Sequence, residues 1–114
     1  MTKGLRDELD MLHARVCSAL ADPNRILMLY LLAERPQCVN ELMESLDLSQ
    51  PSVSRHLKVL RERDMVTATR AGKSIIYSLR DRRVIEALDL LRMMMADALK
   101  SHAALARAAY EDRK

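Results

Sequence analysis

The stretch VNELMESLDLSQPSVSRHLKVL, residues 39–60, decides the fold. Leu42, Met43 and Leu46 recur at the spacing that puts them on one side of a short helix over about Val39 to Leu46. Val53, Leu57 and Leu60 repeat that pattern on a second helix, and Ser49 is the kind of residue that caps one by accepting a backbone N–H. Only Asp47, Leu48 and Ser49 lie between them, which is the spacing of a helix-turn-helix.

Upstream, Asp22-Pro23 reads as an N-cap followed by proline at the first helical position, where its missing N–H costs nothing. That helix runs to about Glu34 and is stopped by Pro36. Before it, Leu5, Leu9, Leu12, Val16 and Ala19 advance by steps of four, three, four and three, a narrow apolar seam suited to packing on another helix.

Downstream of Arg63 the period changes to alternation. Val66 to Arg70 and Ser74 to Leu79 read as strands, the second with Ile75, Tyr77 and Leu79 on one face. Ala71-Gly72-Lys73 supplies the hairpin loop, with Gly72 free to take a positive φ. A last helix covers about Arg82 to Ala109, and Ile85, Leu88, Met95, Leu99, Ala103 and Ala106 form a stripe too long for a small domain to bury alone. The expected fold is mainly α with a small β-hairpin, a winged helix-turn-helix of order ααααββα that dimerises through its first and last helices. Residues 1–114 form one domain in this reading, with 1–20 and 82–109 as dimerisation helices, 39–63 as the helix-turn-helix and 66–79 as the wing.

Composition agrees with such a fold. In 114 residues there are two glycines, three tyrosines and neither tryptophan nor phenylalanine, a helical balance with little room for a larger sheet. No apolar run approaches the roughly 20 residues that span a bilayer, and no signal segment opens the chain, so a cytoplasmic protein without a membrane partner is expected. Residues 49–83 hold nine Lys or Arg against three acids, a local net charge of +6 that leaves −3 for the remainder of a +3 chain. A basic segment in an otherwise acidic chain is the footprint of a polyanion partner. An enzyme is not expected, because no phosphate-cradling glycine loop and no nucleophile-and-base pattern is present.

Two stretches carry a family likeness: Ala19-Leu20-Ala21-Asp22-Pro23-Asn24-Arg25, and Ser49-Gln50-Pro51-Ser52-Val53-Ser54-Arg55-His56-Leu57-Lys58-Val59-Leu60. With Gly72 and Tyr77-Ser78-Leu79 they resemble the ArsR/SmtB family of repressors over roughly residues 10–80. The resemblance implies a dimeric winged-helix regulator that leaves its operator when an effector binds.

Helix geometry and the resemblance together assign Gln50, Ser52, Ser54, Arg55 and His56 to the major groove, where glutamine can bond adenine twice and serine can bond any base. Lys58 and Arg61 are assigned to phosphates, which give affinity and position without sequence information. Arg70 and Lys73, at the hairpin tip, are assigned to the backbone or the minor groove. A dimer reading duplex DNA is expected to use a two-fold related operator with half-sites about one helical turn apart. No cofactor is required for that binding.

The effector sites of the family are where this sequence departs from it. The resemblance implies Cys-Val-Cys at the start of the third helix in members that bind soft metals or arsenic, and here the run is Cys38-Val39-Asn40. Asp97 and His102 on the last helix lack the Asp-x-His spacing of its zinc sites. Cys38 stands where Ser or Thr normally caps the third helix, with Glu41 three residues on, as in a capping box. His13 and Cys17 are four apart and so neighbours on the first helix. Three readings stay open: Cys38, with or without Cys17, as a thiol switch acting on the dimer; a soft-metal or arsenite site of Cys17 and Cys38, with or without His13, from one or both protomers; and two structural cysteines. Met93, Met94 and Met95 are read as packing. A winged-helix protein-interaction module is the rival to a DNA reader, and the polar residues of the fourth helix speak against it.

Overall fold

Why these residues form these elements is clearest at the helix starts. In the computed structural model, which describes residues 2–112, Asp22 is extended and its carboxylate accepts from the Asn24 N–H at 2.8 Å. That cap, with Pro23 in the first turn, opens helix α2 at Pro23–Glu34. Ser49 does the same for α4, Gln50–Glu62, its hydroxyl accepting from the Ser52 N–H at 3.4 Å. Between them, α3 spans Val39–Leu46 and ends at Asp47, whose φ of 53° is the left-handed turn that terminates many helices.

The N-terminal segment is less regular than its apolar seam predicts. Helix α1 covers Thr2–Leu12, after which His13–Cys17 widens into a π turn closed by Ser18 N–H to the His13 carbonyl at 3.0 Å. A single 3₁₀ turn, Ala19–Ala21, follows. Leu5, Leu9 and Leu12 are exposed, Val16 is half-buried and Ala19 is fully buried, so the seam sinks into the core only at its end.

That core is built from Ala19, from Met28, Leu29 and Leu32 of α2, Leu42 of α3, and Val53, Leu57 and Leu60 of α4, closed by Met65 and Val66. The hairpin pairs β1, Val66–Ala71, with β2, Ser74–Leu79, antiparallel from Val66 opposite Leu79 to Ala71 opposite Ser74. Its loop is therefore the two residues Gly72 and Lys73, with Gly72 at φ 63°, one residue tighter than the sequence suggests. Two short strands are marginal in water alone. Here Gln37 supplies a partial third strand, trading backbone hydrogen bonds with Tyr77 at 3.0 and 2.8 Å. Gln37 is itself buried, with its amide donating to the Leu31 carbonyl at 2.7 Å. The expected alternation of β2 is blurred: Ile75 is exposed, while Ile76 to Leu79 are all half-buried.

The chain divides into a unit ending at Arg82 and a second beginning at Arg83. The second is one helix, α5, over Arg83–Asp112. Of its apolar stripe Ile85 and Leu88 are buried, whereas Met95, Leu99, Ala103 and Ala106 are exposed. No helix among the described residues is long and apolar enough to cross a membrane.

Candidate nucleic-acid interface

Helix α4 turns Val53, Leu57 and Leu60 into the core and leaves a polar outer side. Gln50, Arg55, Lys58 and Arg61 are exposed and Ser52 and Ser54 half-exposed. The Gln50 amide donates to the Ser54 hydroxyl at 3.0 Å, so these two groups, one helical turn apart, are already oriented toward each other. At the hairpin tip Arg70, Gly72 and Lys73 are all exposed. A polar, cationic strip thus runs from the first turn of α4 to its last, with a basic hairpin beside it.

His56 departs from this set. Its side chain is only 15% exposed, with Nδ1 3.3 Å from an Arg25 nitrogen and Nε2 4.0 Å from the Asp22 carboxylate. A guanidinium only donates, so Nδ1 accepts and the ring proton sits on Nε2, toward Asp22. Nδ1 is thus engaged on the α2 side of α4, which holds the ring back from the exposed residues of that helix. Arg25, a residue with no assigned role in the sequence pattern, carries this arrangement: it also donates to the Ala19 carbonyl at 2.7 Å and the Ser18 carbonyl at 3.1 Å. The available signal was its place one turn after the Asp22 cap.

Arg63 is another cation that a charge count credits to DNA. Its guanidinium instead donates to the Ser18 hydroxyl at 2.5 Å and to the Ala14 carbonyl.

The outer side of α4 and the hairpin bound a cleft of about 310 Å³ lined by Asn40, Gln50, Ser54, Lys73, Tyr77 and Cys38. Cys38 is half-buried at the N-cap of α3, and Glu41 completes the predicted box by accepting the Cys38 N–H at 3.2 Å. The other carboxylate oxygen of Glu41 receives Arg35 at 2.5 Å. Arg35 first, then the backbone and thiol of Cys38, hold the Glu41 carboxyl below its ordinary range. Cys17 is exposed at the end of the π turn, and both thiols are free. Among the described residues no three His, Cys, Asp or Glu side chains gather as a metal-binding group, so one chain does not assemble His13, Cys17 and Cys38 into a site.

Residues 22–68 match the model of the bacterial regulatory protein, arsR family. The same order of helices and hairpin extends across most of a relative of known structure, Rv0081 of Mycobacterium tuberculosis, an uncharacterised HTH-type transcriptional regulator. It is 36% identical over 100 residues, 87% of this chain and 88% of that one. Its crystal structure superposes with a TM-score of 0.75 at 35% identity, covering 83% of this chain and 96% of the other. The chain belongs to the arsR family. The HTH-type transcriptional regulator NmtR of M. tuberculosis is 42% identical over 76 residues, 67% of this family member and 63% of NmtR, so the chain spans less than two thirds of NmtR. A homodimeric winged helix-turn-helix DNA-binding domain, Mb0332 from Mycobacterium bovis, aligns with a TM-score of 0.72 at 26% identity over 83% of this chain and 87% of that one.

Proposed function

We propose that this arsR-family chain is a transcriptional repressor that binds a two-fold related operator as a homodimer and releases it on a thiol-directed signal. The observation that carries the DNA reading is the outer side of α4, where Gln50, Ser52, Ser54, Arg55, Lys58 and Arg61 stand clear of the core. Gln50, Ser52, Ser54 and Arg55 read base edges in the major groove, while Lys58 and Arg61 meet phosphates. Arg70 and Lys73 lie along the backbone or in the minor groove. An interaction module would offer an apolar surface there, and α4 keeps its apolar residues inside.

Exposed apolar side chains support the homodimer. Helix α1 leaves Leu5, Leu9, Met11 and Leu12 uncovered, and α5 leaves Leu91, Met95, Leu99 and Leu105 uncovered. Exposure on this scale along two helices marks surfaces that take a partner.

The thiol signal rests on the position of Cys38 in the cleft it shares with Gln50, Ser54 and Lys73. Group addition to that sulfur takes up room beside the reading helix, so the adduct acts on the DNA face itself.

Binding of the reduced, metal-free protein to DNA from its own upstream region tests the whole reading. Tight, salt-sensitive binding released by peroxide or polysulfide in the wild type but not in Cys38→Ser is the expected result. Release by arsenite or zinc instead would transfer the signal to metal chemistry and end the redox reading. No specific binding in any of these states would end the DNA reading.

A further inference from the structure

Ser18 lies at the junction between the N-terminal helix and everything that follows, and all its polar groups are engaged. Its N–H closes the π turn on the His13 carbonyl, and its hydroxyl donates to the Ala14 carbonyl at 2.5 Å while accepting from Arg63 at 2.5 Å. Its carbonyl accepts from Arg25 at 3.1 Å, and the same guanidinium reaches His56 at 3.3 Å.

Both cations lead to α4. His56 and Arg63 are seven residues apart, two helical turns, and so stand on the same flank of that helix. The buried Val53, Leu57 and Leu60 set which face of α4 turns inward, and two polar attachments on one flank narrow the roll that this packing leaves. Alongside, Arg15 of the π turn holds the end of α4, donating to the Asp64 carboxylate at 2.9 Å and the Glu62 carbonyl at 3.3 Å. The π turn itself supplies an acceptor: the Ala14 carbonyl takes both the Ser18 hydroxyl and Arg63. A regular helix would direct that carbonyl to its own backbone.

We propose that Ser18 and Arg63 are positioning residues for DNA reading: they fix the roll of α4, and with it the aim of Gln50 and Ser54, from the segment that ends the N-terminal helix. The inference rests on the DNA reading above and deepens it. Neither residue touches DNA. A base contact tolerates a misplacement of only a few tenths of an ångström, so a loosened roll weakens specific binding and spares the phosphate contacts that hold any sequence.

The test is a pair of affinities, for an operator selected from genomic fragments and for random duplex DNA of equal length, measured across a salt series. In Ser18→Ala the operator affinity is expected to fall about tenfold, the size of one charge-assisted hydrogen bond, with random-DNA affinity kept within about twofold. Ser18→Thr, which retains the hydroxyl, is expected to recover most of the loss. Arg63→Gln is expected to match Ser18→Ala with its salt slope unchanged. A slope reduced by about 0.9 would make Arg63 a phosphate contact and overturn the proposal. An operator-to-random ratio in Ser18→Ala equal to wild type would overturn it as well, even with a lowered melting temperature. Failure of the wild type to select any operator would instead sink the DNA reading itself.

Discussion

The Nδ1 of His56 lies 3.3 Å from the Arg25 guanidinium, joining the middle of α4 to the first turn of α2. Arg25 continues the chain of contacts to the carbonyls that end the N-terminal segment. The reading helix is therefore oriented by polar contacts on one flank as well as by its apolar face. Truncating His56 strands a partly buried guanidinium nitrogen, and His56→Ala is expected to cost about 1–3 kcal/mol in denaturant unfolding. A fall in operator affinity with unchanged stability would return His56 to the base edges.

Gln50 is the opposite case, exposed and oriented by Ser54. Gln50→Ala is expected to lose about 1–3 kcal/mol of discrimination at one base pair of each half-site and to leave unfolding unchanged. Selection of binding sites by the variant, compared with wild type, reads this out as relaxed preference at that pair. Equal loss over every sequence would mark Gln50 as a backbone contact.

The parts of this site legible in the sequence are those governed by neighbouring residues. Ser49 and Asp22 cap the helices they were expected to cap, because a cap needs only its own side chain and the next turn. The fate of His56 was not legible. It sits at the border between the core side of α4 and its outer side, where the deciding partner is an arginine 31 residues earlier. The π turn was hidden for a similar reason: apolar steps of four and three are the same with or without it, and one of the two groups that use its open carbonyl comes from residue 63. Gln37 carries no strand signal of its own, and only its pairing with Tyr77 bridges it to the sheet.

At the wing, Arg70 near the end of β1 and Lys73 within the two-residue turn are both exposed. If each neutralises one phosphate, Arg70→Gln and Lys73→Gln each lower the slope of log affinity against log salt by about 0.9, on operator and random DNA alike. Titrations at several salt concentrations measure it. An unchanged slope in both variants would remove the hairpin from the interface.

Glu41 ties acid stability to the start of α3. Arg35 and the Cys38 N–H hold its carboxyl below the ordinary range. A depressed folded-state value means stability that is present above the unfolded value and lost as pH falls through the folded one. Wild type is therefore expected to lose stability below the ordinary carboxylate range more steeply than Glu41→Gln, with the two curves parallel near neutrality. Urea midpoints collected from pH 7 downward give the comparison, and parallel acid limbs would count against the Arg35–Glu41–Cys38 link.

Asp47 and Asp64 both take left-handed backbone, at φ 53° and 61°, but differ in what their side chains do. Asp64 is bonded to Arg15, so exchanging it for glycine relieves the backbone and breaks a contact that holds the end of α4. Asp47 is exposed at the helix-turn-helix corner, and no hydrogen bond to its side chain is seen among the described residues. Glycine is the residue that a helix end of this shape favours, and the penalty for a side chain in this region is smallest for Asp and Asn. Asp47→Gly is thus expected to raise stability by about 0.5–1 kcal/mol, with operator affinity intact, whereas Asp64→Gly lowers stability despite the same backbone relief. Thermal unfolding of the two variants side by side decides the matter: an equal gain in both would show that the Arg15–Asp64 contact contributes nothing to holding α4.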